Sequence, residues 1–149
     1  EEIINLISPV GNVYHAGTLS GDPVSVAAGI KTISILKENP KIYEVLEKRT
    51  KEIVEKVEKL IEKYDAPASI NYANSLFTIF FSKEKVENLE DAIKTSDDFY
   101  SIYFDVMLEN GIIVPPSKYE AHFISYIHSD EDYNKYFSAL EKVFQKIKK

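Results

Sequence analysis

No cysteine occurs among the 149 residues, which excludes disulfides, thiolate metal ligands and a cysteine nucleophile. Arginine is nearly absent: Arg49 stands alone, and the other seventeen basic residues are lysines. With a formal net charge of -6 and most lysines alternating with glutamates, these cations read as solvated helix faces. A nucleic-acid surface, which needs clustered Lys and Arg to neutralise phosphates, is not expected. No apolar run approaches the length of a bilayer span, and no signal-peptide pattern opens the chain. A cytoplasmic setting is therefore the default, and neither membrane nor nucleic acid is expected as a partner. An initiator methionine is missing too. The chain enters at Glu1-Glu2-Ile3-Ile4 as if in mid-helix, so it reads as a fragment or an excised domain.

What is present is ordinary in bulk: 44% hydrophobic and 28% charged residues, enough for one domain with a real core. Apolar Ile3, Ile4 and Ile7 suggest the end of a short helix, broken by Pro9 and Gly11. After a small-residue loop over 12–21, Asp22-Pro23 reads as an N-cap followed by proline at the first helical position. The helix expected over 23–38 is apolar nearly all round, with Val24, Val26, Ile30, Ile33 and Ile35. That predicts burial, between layers or between subunits. A second helix, 40–64, is amphipathic at period 3.6, and its outer face carries Glu/Lys pairs at i,i+4 worth roughly 0.2–0.5 kcal/mol each.

Beyond Pro67 the pattern changes. Leu76–Phe81 reads as a strand, with a weaker candidate at Ser69–Tyr72, and further short strands at Ile112–Val114 and Phe123–Ile127. Ser96 caps a helix ending at Asn110-Gly111, and Ser129 with Asp132 forms a capping box for the last helix. The expected fold class is α+β: a short, mainly antiparallel sheet covered by helices.

Two segments carry chemistry. Gly17-Thr18-Leu19-Ser20-Gly21 holds two of only five glycines, just ahead of a helix start. It is neither a P-loop nor a dinucleotide fingerprint. Its glycines serve tight turns and its Ser20 and Asp22 serve capping, or its N–H groups and hydroxyls contact an anion such as a phosphate. The second segment, Val114 to Ser125, is a loop stiffened by Pro115 and Pro116, the kind of place where binding residues sit. There Glu120 is either an ordinary surface carboxylate or a site residue. No metal site is expected.

Together the two segments are specific. Residues 13–29, VYHAGTLSGDPVSVAAG, closely resemble the VYQAGTLSGNPxAMAAG stretch of the glutamate-1-semialdehyde 2,1-aminomutases. Residues 111–129, GIIVPPSKYEAHFISYIHS, resemble that family's GVYLxPSxFEAxFxSxAHS. The linking region agrees in length and pattern, so the resemblance covers the whole chain as roughly the C-terminal third of the family's length.

The resemblance implies the small C-terminal domain of a fold-type-I, pyridoxal-phosphate-dependent homodimer of the class-III aminotransferase group. Residues 1–22 would be the tail of the large cofactor domain with its phosphate-contacting loop. Residues 23–149 would be the small α+β domain, entered by a long connecting helix. The implied activity is conversion of glutamate 1-semialdehyde to 5-aminolevulinate, an early step of tetrapyrrole synthesis, with the cofactor cycling between pyridoxamine and pyridoxal phosphates. Gly17 and Thr18 match the Gly-Thr pair that reaches the cofactor phosphate of the other subunit. Glu120 matches the family's active-site glutamate.

The departures from the family pattern are Asp22 for Asn, His15 for Gln and His122 for Gly. His15, His122 and His128 are read as structural residues. No lysine has the desolvated setting that a Schiff-base lysine needs, because the family's lysine lies upstream of this stretch. The chain alone is therefore expected to be inactive. The alternatives are a fragment of an ω-aminotransferase, set apart by the segment around Glu120, and an interaction module without catalytic work.

Overall fold

Asp22 opens the first helix as its sequence asks. The carboxylate accepts the Ser25 N–H at 2.8 Å and Pro23 takes the first helical position. These details come from a computed structural model, which describes residues 1–148. The chain forms two compact units, Glu1–Pro40 and Lys41–Lys149. None of the described helices is long and apolar enough to cross a membrane.

In the first unit, a 3-10 turn at Ile4–Leu6 leads into a knot of backbone hydrogen bonds. Ser8 N–H donates to Val13 O and Gly11 N–H donates to Ile7 O, both at 2.9 Å. A Cβ at Gly11 would lie 2.1 Å from the Leu6 carbonyl oxygen, so only glycine permits this approach. Helix α1 follows over Pro23–Glu38. Contrary to the burial its composition predicts, none of its residues is buried, and Val24 and Ile33 are 78% and 67% exposed. Within its own unit, the short segment ahead of it supplies no layer to cover this apolar surface.

The second unit begins with α2, Lys41–Tyr64, whose apolar stripe buries Ile53, Val54 and Val57. Strands β1 (Ser69–Ala73) and β2 (Leu76–Phe80) form an antiparallel hairpin in the register Ser69↔Phe80 to Ala73↔Leu76. Asn74, one of the few residue types that tolerate positive φ, takes φ 51° in the two-residue turn. A short helix α3, Leu89–Ile93, precedes α4, Asp97–Glu109. Helix α3 is not among the elements expected above, although its local signal is present: the Asn88 side chain accepts the Asp91 N–H at 3.0 Å.

Helix α4 ends as expected at Gly111, with φ 73°. Ile112 N–H reaches Met107 O and Gly111 N–H reaches Leu108 O, both at 2.9 Å, which is the Schellman pattern. Strand β3 is only His122–Phe123, antiparallel to β2, and α5 spans Asp130–Ile147 behind the expected Ser129/Asp132 capping box.

The α+β class and the antiparallel sheet, ordered β1-β2-β3, stand as expected. Two strand expectations do not. Ile112–Val114 joins no sheet, because β2 is already paired on both edges and Pro115-Pro116 brings no N–H donors. The strand expected over Phe123–Ile127 stops at Phe123 because Leu76, its partner there, is the first residue of β2. Beyond it Ile124 N–H reaches the Ser75 carbonyl in the hairpin turn at 2.9 Å, while Ser125 and Ile127 turn their N–H groups to local side chains, His128 Nδ1 and Ser125 Oγ.

The core gathers one face of β2 (Phe77, Ile79, then Phe81) with Tyr103, Val106 and Met107 of α4 and Leu140, Val143 and Phe144 of α5. Alternation in the strand and the 3–4 spacing in the helices put these side chains on facing surfaces. Each buried large side chain contributes roughly 1.5–3 kcal/mol. This core fixes α4, and α4 in turn positions the loop that carries Glu120.

Candidate functional site

Gly17 and Thr18 lie in the first unit and Glu120 in the second, so the two segments are described separately. In the first, a turn is closed by Ser20 N–H to Gly17 O at 2.9 Å and by Asp22 N–H to Leu19 O at 3.1 Å. Gly21 sits at φ 83°, a backbone conformation that favours glycine, whereas a Cβ at Gly17 would fall 2.2 Å from the Ser20 hydroxyl, which would have to rotate away. The N–H groups of Gly17 and Thr18 donate to nothing among the described residues, and both residues are exposed. Free backbone donors beside a hydroxyl ahead of a helix are donors of the right kind for a phosphate. The Ser25 N–H holds the Asp22 carboxyl below the usual carboxylate range.

The second segment is more constrained. Residues 115–121 form an irregular loop between Val114, which is buried, and β3. The Tyr100 hydroxyl lies 2.8 Å from the Pro115 carbonyl and 3.0 Å from the Ser117 carbonyl, its one proton shared between them. Burial, then the charge of Glu120, pushes the Tyr100 phenol up to about 12. Lys118 is 6% exposed. Its Nζ reaches Thr95 O at 2.8 Å, Ile93 O at 3.2 Å and Asp97 Oδ1 at 2.9 Å. Glu120 itself is exposed, with its N–H on Ser117 O at 3.0 Å.

Two residues on, His122 stacks on Phe77 with ring centroids 4.6 Å apart, and its Nε2 meets the Tyr103 hydroxyl at 2.8 Å. That hydroxyl is in turn 3.3 Å from the Tyr136 hydroxyl. Burial pushes His122 down to about 4, against a smaller opposing pull from the facing Phe77 backbone. Its buried Nδ1 has no partner within hydrogen-bonding geometry. Burial likewise pushes the Tyr103 and Tyr136 phenols up, so all of these groups are neutral near neutral pH. Glu120, His122, Ile112, Val114, Lys135 and Tyr136 line one cleft of about 570 Å³.

His128 has a backbone task, its Nδ1 accepting the Ser125 N–H at 3.3 Å. His15 is exposed. Sequence reasoning missed the roles of Lys118, Tyr100 and Tyr103. Lys118 lies among the polar residues of the loop, and Tyr103 shares the 3–4 spacing of the apolar residues of its helix, which hides its hydroxyl. The one available signal was that a buried tyrosine hydroxyl needs a partner.

The antiparallel sheet with its helices has the fold of about a third of the chain of known transaminases. Among solved structures, the β-phenylalanine aminotransferase from Variovorax paradoxus superimposes on 97% of this chain and 33% of its own, with a TM-score of 0.74 at 20% identity. An ω-transaminase from Sphaerobacter thermophilus gives 0.72 at 18% identity over 99% of this chain and 34% of its own.

Sequence narrows the class. The chain is similar in sequence to the glutamate-1-semialdehyde 2,1-aminomutases. It is 51% identical to that of Fusobacterium nucleatum over 148 residues, 99% of this chain and 34% of the relative. The aminomutase of Protochlamydia amoebophila is 40% identical over 94% of this chain and 32% of its own length. The chain thus spans about a third of the length of the curated relatives it matches. No family model matches it.

Proposed function

We propose that this chain is the C-terminal part of an aminomutase that converts glutamate 1-semialdehyde to 5-aminolevulinate, a step of tetrapyrrole synthesis, in a cytoplasmic homodimer. Residues 1–22 are the tail of the large cofactor domain, and residues 23–149 the small domain. Gly17 and Thr18 hold the phosphate of pyridoxal or pyridoxamine phosphate bound to the other subunit, and Glu120 faces the substrate. When bound, the cofactor supplies an amino carrier and an electron sink. The exposed apolar side of α1 is the surface that packs on the rest of the enzyme.

One observation carries this reading: 51% identity to an aminomutase over 148 residues, a span that includes both segments, whose donors and carboxylate are exposed. The isolated chain is inactive on this account. Lys118 is the one buried lysine among the described residues, and all three of its ammonium hydrogens already have acceptors. No free, desolvated amine is left to hold a cofactor.

Two measurements test the proposal. The purified chain mixed with pyridoxal phosphate should lose all cofactor absorbance on dialysis and show no turnover; a retained, active adduct would overturn the inactivity. The full-length enzyme should consume the semialdehyde without a second amino donor. A requirement for such a donor would make it an ω-aminotransferase instead.

A further inference from the structure

We infer that Lys118 is a positioning residue that holds the Glu120 carboxylate in place, with Tyr100 as its partner in the task. The inference rests on the active-site reading of Glu120 given above and concerns how this chain holds it there.

Glu120 is exposed and sits in a loop without regular structure, the setting in which a carboxylate samples many positions. Its neighbours, however, are fixed on both sides. Upstream, Pro115 and Pro116 stiffen the chain, and the Tyr100 hydroxyl ties the Pro115 and Ser117 carbonyls to α4. Lys118 then drives its side chain inward, and its Nζ meets three acceptors: two carbonyls around the end of α3 and the Asp97 carboxylate at the start of α4. A lysine is almost never this buried unless paired, and three N–H groups on three acceptors leave it no second arrangement. Downstream, His122 is held by Phe77 and by the Tyr103 hydroxyl.

The anchors at 118 and 122 bracket Glu120, and both lead back to α4. That helix is packed into the core through Tyr103, Val106 and Met107. Groups locked by packing and by hydrogen bonds behind them are what keep a site residue in productive geometry. The proximity is electrostatic as well: the Glu120 charge is felt at the Tyr100 phenol. Tyr100 and Lys118 do not line the cleft, so their effect on chemistry there passes through Glu120.

The test is a double-mutant cycle in the full-length enzyme, with Lys118→Met, Glu120→Gln and both together. Lys118→Met should lower kcat about 10-fold when Glu120 is present and less than about 2-fold in the Glu120→Gln background, with bound cofactor unchanged. Tyr100→Phe and Asp97→Asn, milder changes that keep the fold if Lys118→Met does not, should show the same dependence on Glu120 at about 2–5-fold. In the 149-residue chain, Lys118→Met should speed hydrogen exchange at the Tyr119 and Glu120 amides about 10-fold and leave the α4 and α5 core amides unchanged. Losses that multiply regardless of the residue at 120 would overturn the inference alone, as would unchanged exchange at those two amides. A silent Glu120→Gln would overturn the reading of Glu120 itself and this inference with it.

Discussion

The loop at Gly17-Thr18 and the loop at Glu120 carry the same family resemblance, yet their physical support differs. At Gly17-Thr18, backbone donors stand free, and the adjoining α1 has no buried residue. At Glu120, Tyr100, Lys118 and His122 tie the flanking backbone into a core that is closed within the chain. The first site offers ligands without holding them against anything of its own. The second is organised by its own domain before any partner arrives. Binding at the first therefore depends on what the rest of an enzyme brings, whereas geometry at the second is a property of this sequence.

Four measurements would break or sharpen that contrast. The largest effect belongs to the core behind Glu120. Phe144→Ala should cost about 3–5 kcal/mol in chemical unfolding of the chain, whereas Ile33→Ala on the exposed α1 should stay within about 0.5 kcal/mol. Equal losses would mean that α1 is covered after all.

Next in size is a pH effect confined to the second site. His122 has a folded pKa of about 4, below its value of 6.5 when unfolded, so between those limits the unfolded chain binds the extra proton. Stability from this group is full above pH 6.5 and falls as pH drops towards 4, by at most about 3 kcal/mol. Denaturant titrations across that window should show the loss, and His122→Phe should flatten it. The carboxylates with lowered pKa values, Asp22 and Asp132 among them, act below this window, where their ordinary value is 3.8.

Third, Thr18→Val in the full-length enzyme should weaken cofactor retention by about 1.5–3 kcal/mol, the worth of a hydrogen bond to a charged group. Equilibrium dialysis would measure it, and the same change should leave unfolding of the isolated chain untouched. Unaltered retention would remove the phosphate role. Smallest is Ser129→Ala, which breaks the α5 capping box and should lower the unfolding free energy by about 1 kcal/mol. Asp22→Ala should fray α1 in circular dichroism without moving the main unfolding transition.

Much of this was legible along the chain because the signals are local. Asp22-Pro23, Ser96, Ser129 with Asp132, and Asn110-Gly111 mark helix ends through bonds spanning three to five residues, and each appears where its spacing places it. Strand lengths were not legible. Whether Ile112–Val114 or Ser125–Ile127 pairs depends on which edge of β2 is free and where β2 stops, and neither is written in the segment itself. The same holds for Lys118, which reads as a solvated loop lysine until three acceptors from residues 93–97 close around it.

The sequence by itself determined the four longer helices, the α+β class and, through two motifs about a hundred residues apart, the similarity to the aminomutases. Those properties rest on short-range periodicity, caps and residue identity. Only the tertiary structure decided that the Glu120 loop is braced while α1 lies bare. Burial and buried hydrogen bonds depend on which distant surfaces meet, and those meetings are not encoded in any one stretch of chain.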